Sequence, residues 1–236
     1  MAISQKYGRT YHYPFSPGTT SDDRISHDYW PLINNIPQLV HTEKLDGENN
    51  CLSRLGVFAR SHAAPTTSPW TESLRRYWQL IKHDLGELDV FLENLYAVHS
   101  LQYHKLEHHF YVFAVREADR WLSWEETKFY AAMLDLPVVP EIKIFPSPAN
   151  RTEFEQEVLS ITAGPGALAP HDAISGKPSV MEGIVTRNTG SYAVNAFSEN
   201  VFKYVRKGHV KTDQHWTRNW KRAPLANEGG KYVDTH

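Results

Sequence analysis

The chain carries a lysine in a short polar turn, Lys44-Leu45-Asp46-Gly47, followed in order by Glu93, Glu182 and Lys203. Each of these charged residues sits beside an apolar, strand-like run, so a regular element would position each of them. A lysine so placed can act as an amine nucleophile if its pKa falls from about 10.4 toward neutrality. Partial burial and neighbouring cations both push it that way. Lys44 ends an apolar strand, and Lys203 and Arg206 lie in a later apolar strand that could run beside it. Gly47 allows a tight turn directly after the lysine, whereas Asp46 alone reads as a turn residue.

Further residues extend the set. Asn49 follows Lys44 by five positions. Arg60 lies in Val57-Phe58-Ala59-Arg60-Ser61-His62, and Glu93 in Val90-Phe91-Leu92-Glu93-Asn94-Leu95-Tyr96-Ala97. Phe110-Tyr111-Val112-Phe113-Ala114-Val115, Met181-Glu182-Gly183-Ile184-Val185-Thr186-Arg187 and Val201-Phe202-Lys203-Tyr204-Val205-Arg206-Lys207 complete it. In this order the motifs resemble the lysine-nucleophile nucleotidyltransferases, which include RNA ligases, DNA ligases and mRNA capping enzymes. They are most similar to the RNA ligases of the phage ligase 2 type.

The resemblance implies roles. Lys44 would take AMP from ATP, with Asp46 close to the amine. The arginine after the first motif, matched best by Arg60 with Arg54 as its rival, would contact the nucleotide or the terminal phosphate. Glu93 would bind the ribose hydroxyls, although Leu92 stands where relatives usually carry glycine. Phe113 would stack on the purine, against the plainer reading of an aromatic buried in a strand. Glu182 would act near the reactive phosphate through Mg²⁺ or Mn²⁺, which takes oxygen ligands and keeps several waters. Lys203 would bind the phosphates and help to lower the Lys44 pKa. Relatives usually show a second lysine where Val205 stands, so Arg206 or Lys207 must replace it. Glu43, Asn49 and Arg206 join the nucleotide-binding group.

Paired strands broken by isolated helices indicate an α+β fold. The resemblance makes it the ligase adenylation (ATP-grasp-like) nucleotidyltransferase domain, with two antiparallel sheets flanked by helices and the ATP cleft between them. Residues 1–37 read as an N-terminal arm packed on the domain, the sharper alternative being that the Gly and hydroxyl groups of its first 30 residues border the nucleotide or substrate site; 38–210 read as the adenylyltransferase domain, and 211–236 as a short basic and aromatic extension. Strands are expected near 38–43, 50–54, 57–61, 88–97, 110–115, 180–187, 192–196 and 201–205. Leu55-Gly56 marks a hairpin. A helix capped by Ser68 would carry Leu74, Trp78, Ile81 and Leu85 on one face. Capping boxes at Ser123/Glu126 and Thr152/Glu155 would open two more, and 163–179 reads as a loop.

Composition narrows the alternatives. The 236 residues are 41% hydrophobic and 12% aromatic, enough for a packed domain, and the net charge of −2 leaves nucleic-acid contact to a local patch. Lys203–Arg222 holds seven Lys/Arg and one Asp, with Trp216 and Trp220 interleaved. This is either a base-stacking surface or a solvated helix with docked tryptophans. One cysteine, Cys51, excludes a disulfide within the chain. With no signal-like or membrane-length apolar run, a cytoplasmic location is expected. His99, His104, His108 and His109 crowd one loop, but without cysteines a zinc site is not expected.

The function expected from the resemblance is ATP-dependent joining of RNA 3′-OH and 5′-phosphate ends, through lysyl-AMP and RNA-adenylate intermediates. The RNA ends are the partners, with room for an end-healing kinase or phosphatase on a separate chain, and the chain reads as a monomer. About 30 residues follow the last motif, too few for the oligonucleotide-binding barrel of DNA ligases and capping enzymes. A GTP-using guanylyltransferase, a DNA-end ligase and a non-catalytic RNA-end-binding protein are the alternatives.

Overall fold

The computed structural model describes residues 6–60, 63–208, 217 and 219–228. Its first sheet has five strands in the order β1 (Tyr11–His12), β13 (Val201–Val205), β11 (Gly183–Asn188), β2 (Gln38–Lys44) and β9 (Glu141–Pro146). The second has six: β12 (Tyr192–Ala193), β8 (Arg120–Trp121), β7 (Phe110–Glu117), β5 (Leu88–Asn94), β3 (Glu48–Ser53) and β4 (Gly56–Ala59). A two-stranded ribbon pairs β6 (Leu101–Tyr103) with β10 (Pro170–Asp172). The helices are α1 (Tyr29–Asn34), α2 (Glu72–Ile81), α3 (Trp124–Met133), α4 (Arg151–Thr162) and the single turn α5 (Phe197–Asn200).

Strand alternation sorts the apolar residues into layers. On β2, Val40 enters a core shared with Phe91, Phe113 and Trp121 of the second sheet. Leu39 points the other way, to Tyr29 and Ile33 of α1 and Phe154 and Val158 of α4. Val90, Leu92 and Val112 of the second sheet pack instead against Leu74 of α2 and Ala131 of α3. The order is therefore helices, sheet, shared core, sheet, helices. This is the expected α+β architecture, with one amendment. β1 runs parallel to β13, with His12 opposite Lys203, so the first sheet is not wholly antiparallel. No hairpin constrains β1, and it fills the open edge of β13.

Local signals acted where the expected side chains could reach. Ser123 and Glu126 form the reciprocal capping box. The Thr152/Glu155 box does not form. Asn150 caps α4, accepting from Thr152 N and Glu153 N, while Glu155 turns to Tyr29 and Arg151. Ser68 offers no side-chain cap, and Leu85 lies beyond the end of α2 yet is fully buried. β9 is an edge strand that exposes four of its first five residues and ends in proline, so it lacks a readable apolar pattern. Similarly, β10 lies inside the stretch read as a loop. The run read as a strand at 192–196 is a two-residue strand followed by a 3₁₀ turn.

Trp220 rests against Trp70 and Tyr96, at centroid distances of 6.4 and 6.0 Å. Ala223 N donates to Tyr96 O, and the His109 ring meets Ala223 O at 2.9 Å. The described part of the C-terminal extension is thus docked on the body. His209, Lys211, His215, Trp216 and Arg218 lie outside the described residues. Among the described residues no group of three His, Cys, Asp or Glu could hold a metal ion, and no helix is long and apolar enough to cross a membrane.

Candidate active site

Between the sheets lies a cavity of about 910 Å³. The first sheet contributes Lys44, Val185, Arg187 and Lys203 to its walls; the second sheet and its loops contribute Glu48, Asn49, Arg60, Glu93 and Phe113. Lys44 is the last residue of β2. In the antiparallel neighbour β11 Gly183 stands opposite it, so Glu182, one residue earlier, falls beside the lysine. Lys44 Nζ donates to Glu182 Oε1 at 2.7 Å. Gly183 lets β11 lie close against β13, because a Cβ there would lie 1.9 Å from Tyr204 O. On β5, Glu93 pairs with Asn49 of β3 and accepts from Gly47 N at 3.0 Å. A Cβ on Gly47 would meet Asn94 O at 2.6 Å, so glycine lets this turn close. Leu92 is fully buried on the opposite face of β5, against the helices, and a bulge between Phe91 and Leu92 adjusts the pairing with β7.

The electrostatics reverse the expectation for Lys44 in the nucleotide-free structure. Burial pulls the Lys44 amine down, but the carboxylates of Glu182, Glu93 and Asp46 outweigh it and hold the amine above the ordinary lysine value. Lys203 is the depressed one: burial lowers it and Lys44 and Arg60 add to that, against the opposing pull of Asp23. The correction has a simple cause. Lys203 and Arg60 lie near Lys44, but carboxylates stand closer to it. Glu93 is pushed up to about 8, first by burial and then by Glu182 and Asp46, against Lys44 and Gly47 N–H. Burial raises Glu43 to about 7, although Ala167 N donates to it at 2.8 Å.

Asp46 and Arg206, two expected site residues, do not line the cavity. Asp46 Oδ2 accepts from Ser100 N at 2.8 Å and Leu101 N at 2.6 Å. It ties the turn to β6 while its charge still acts on Lys44. Arg206 donates to Met181 O at 3.0 Å and Ser179 Oγ at 3.2 Å, bracing the segment that presents Glu182. It does not line the cavity either, and Lys207 is exposed. Of the two candidate arginines, Arg60 lines the cavity. Arg54 pairs with Glu87 at 3.2 Å at the exposed hairpin tip. Glu43 and Phe113 also reach the wall. Phe113 is 7% exposed, with the Tyr7 ring 5.0 Å away and Arg187 over its face at 6.0 Å.

Several wall residues had no part in the sequence reading. Arg187 donates to Phe113 O and to Thr42 Oγ1 at 3.2 Å, linking the two sheets. A cation alternating with apolar residues in a strand was the available signal. Tyr7, Arg9, Thr10, Thr20 and Asp23 come from the N-terminal segment, whose Gly and hydroxyl groups were the signal for a segment bordering the site, although no single residue of it stood out.

Comparison with known proteins agrees with this layout. The family model described as RNA ligase matches residues 37–205. A Naegleria gruberi RNA ligase mutant solved with ATP and Mn is similar in fold, at TM-score 0.56 and 16% identity. The similarity covers 89% of this chain and 58% of that one. A second mutant of that ligase, with AMP and Mn, gives TM-score 0.55 at 16% identity, covering 89% and 58%. An archaeal ATP-dependent RNA ligase gives TM-score 0.52 at 16% identity, covering 86% of this chain and 48% of the other. This chain thus spans between about half and three-fifths of these relatives' lengths. No curated protein sequence matches.

Proposed function

We propose that this chain, which belongs to the RNA ligase family, joins RNA 3′-OH and 5′-phosphate ends at the expense of ATP. One observation carries the reading. Lys44, Glu93 and Lys203, spread over 160 residues of sequence, line one cavity between two sheets, and Glu182, just behind its wall, meets the Lys44 amine at 2.7 Å. The Naegleria ligase structures with ATP or AMP and Mn support ATP as the nucleotide. Asn49 on the cavity wall, five residues past Lys44, supports the phage ligase 2-type subgroup.

In this reading the Lys44 amine attacks the α-phosphorus of ATP, a phosphorus–nitrogen bond forms, and pyrophosphate leaves. The AMP then passes to the RNA 5′-phosphate, and a 3′-hydroxyl displaces it as the strand is sealed. Little covalent work falls to the other side chains; their contribution is position and charge. Lys203, Arg60 and Arg187 place cations on the cavity wall for the phosphates. Glu93, held by Gly47 N–H, offers a carboxylate to the ribose hydroxyls. Glu182 holds the Lys44 ammonium until the amine sheds its proton. A divalent cation fits the donor set, taking Glu182 as its carboxylate and its other oxygens from phosphates and water. When bound, such an ion neutralises the phosphates and Glu182 together. A cytoplasmic location suits the lone buried thiol, Cys51, and an end-healing enzyme on a separate chain would prepare the RNA ends.

The test is incubation with Mg²⁺ and α-labelled ATP or GTP, followed by denaturing electrophoresis, with Lys44→Ala alongside. A Lys44-dependent band from ATP is expected. A band from GTP alone would redirect the reading to capping-type chemistry. No band from folded, unadenylated protein would leave a non-catalytic RNA-end-binding protein.

A further inference from the structure

Three observations on the N-terminal segment converge on the phosphate side of the cavity. First, β13 supplies one cation, Lys203, where the resemblance expects two. The second position, Val205, is 3% exposed and clamped by the segment: Val205 N donates to Ser16 Oγ at 2.9 Å and Gly18 N donates to Val205 O at 2.9 Å. Neither Arg206 nor Lys207 lines the cavity. Second, Arg9 does line it; it is exposed between half-buried neighbours and lies three residues before His12, which stands opposite Lys203. Third, Asp23 is a built-in partner for Lys203. Thr20 N and Oγ1 both donate to Asp23 Oδ2 at 3.0 Å, which fixes the carboxylate. Oδ1 is left to accept from Lys203 Nζ at 3.2 Å, and it lies 3.1 Å from His12 Nε2. An ammonium has three hydrogens, so a fixed acceptor can take one and aim the others.

We propose that the segment from Arg9 to Asp23 is a working wall of the nucleotide site: Arg9 supplies a further phosphate-binding cation, in place of the second one that β13 lacks, and Asp23 positions Lys203. The proposal rests on the ligase reading above and adds residues that the motifs do not contain. Its chemistry is that of a triphosphate, whose charge Arg9 would share with Lys203, Arg60 and Arg187. Guanidinium suits phosphate through paired N–H donors. Asp23 acts through Lys203 and is a positioning residue.

Lys44→Ala binds ATP without reacting, so equilibrium titration with Mg²⁺–ATP and with AMP separates binding from chemistry. Adding Arg9→Ala to Lys44→Ala should weaken ATP binding about tenfold to a hundredfold, the range for a hydrogen bond to a charged group. AMP binding should weaken much less, and Arg9→Lys should recover most of the loss. Equal affinity for ATP, or equal losses for ATP and AMP, would overturn the role of Arg9. For Asp23 the measure is single-turnover adenylylation of the full chain in a double-mutant cycle. Asp23→Asn should slow the reaction about tenfold in the wild-type chain and be nearly silent in the Lys203→Ala background. Additive losses would show a structural role only and sink the positioning claim. Failure of Lys44→Ala itself to bind any nucleotide, while folded, would overturn the ligase reading. Arg9-insensitive ATP binding by Lys44→Ala would overturn this inference alone.

Discussion

Lys44 and Lys203 face one cavity from strands separated only by β11, with side chains 27% and 19% exposed. Each has a carboxylate partner, Glu182 at 2.7 Å and Asp23 at 3.2 Å. Burial lowers both, yet the first is held above the ordinary lysine value and the second below it. The difference lies in the company each keeps. Lys44 has Glu182, Glu93 and Asp46 around it, whereas Lys203 has Asp23 against Lys44 and Arg60. Similar depth therefore does not produce similar chemistry; the sign of the neighbouring charge decides it. The resting structure holds the proposed nucleophile protonated and paired with Glu182. Discharging Lys44 requires that the surrounding carboxylates be neutralised or drawn away.

Breaking the Lys44 side of the comparison should have the largest effect. Lys44→Ala should abolish the covalent AMP adduct, read as loss of the labelled band. Glu182→Gln comes next, with adduct formation expected to slow by about a hundredfold or more, as when a group stabilising a reacting centre is lost. The same change removes the main partner that raises the Lys44 pKa. Reaction needs the neutral amine, so the acid limb of the residual rate should move to lower pH. A limb that stays in place would separate Glu182 from the Lys44 titration.

On the other side, Lys203→Ala should slow adduct formation by about tenfold to a hundredfold, chiefly through a higher half-saturating ATP concentration. Wild-type rates across pH 6–9 would remove Lys203 from the site.

A smaller effect tests the carboxylates that make the two environments differ. Glu93 rises from 4.5 to about 8 on folding, so the folded chain binds its proton more tightly than the unfolded chain does. Its contribution to stability is complete below about pH 4.5 and is lost as pH rises through about 8. The melting temperature of the nucleotide-free protein should therefore fall more steeply between pH 6 and pH 9 in the wild type than in Glu93→Gln. Parallel curves would mean that the burial cost is relieved elsewhere. The smallest effect should come from Asn150→Ala, outside both environments. Losing the α4 cap should cost about 1 kcal/mol, or roughly 2–4 °C in Tm for a chain of this size, with adduct formation unchanged.

Legibility followed the range of the interactions involved. The Ser123/Glu126 box could be read because its donors and acceptors lie three residues apart. The helix that Asn150 opens could be read as an element, but not its cap, because Asn150 satisfies the first turn and Glu155 finds Tyr29, 126 residues away. The strands bearing Lys44, Glu93 and Lys203 stood out as apolar runs with charge out of place, and that bearing Phe113 as an unbroken apolar run. β9 did not, because an edge strand with exposed faces has no apolar pattern to read. Asp46 could be read as close to the amine, whose pKa it helps to raise, but not its backbone donors Ser100 and Leu101, which lie 54 and 55 residues away.

From the sequence alone came the α+β class, the candidate nucleophile and the order of the motifs, since residue type and short spacing determine strand periodicity, turns and reactive groups. The tertiary structure decided which charges meet. Gly183 opposite Lys44 placed Glu182 on the amine, and β1 beside β13 carried His12 and Asp23 to Lys203. Coulomb interactions and desolvation depend on distances of a few ångströms between residues up to 180 positions apart. For that reason, the direction in which each lysine titrates could be read only once the sheets were closed.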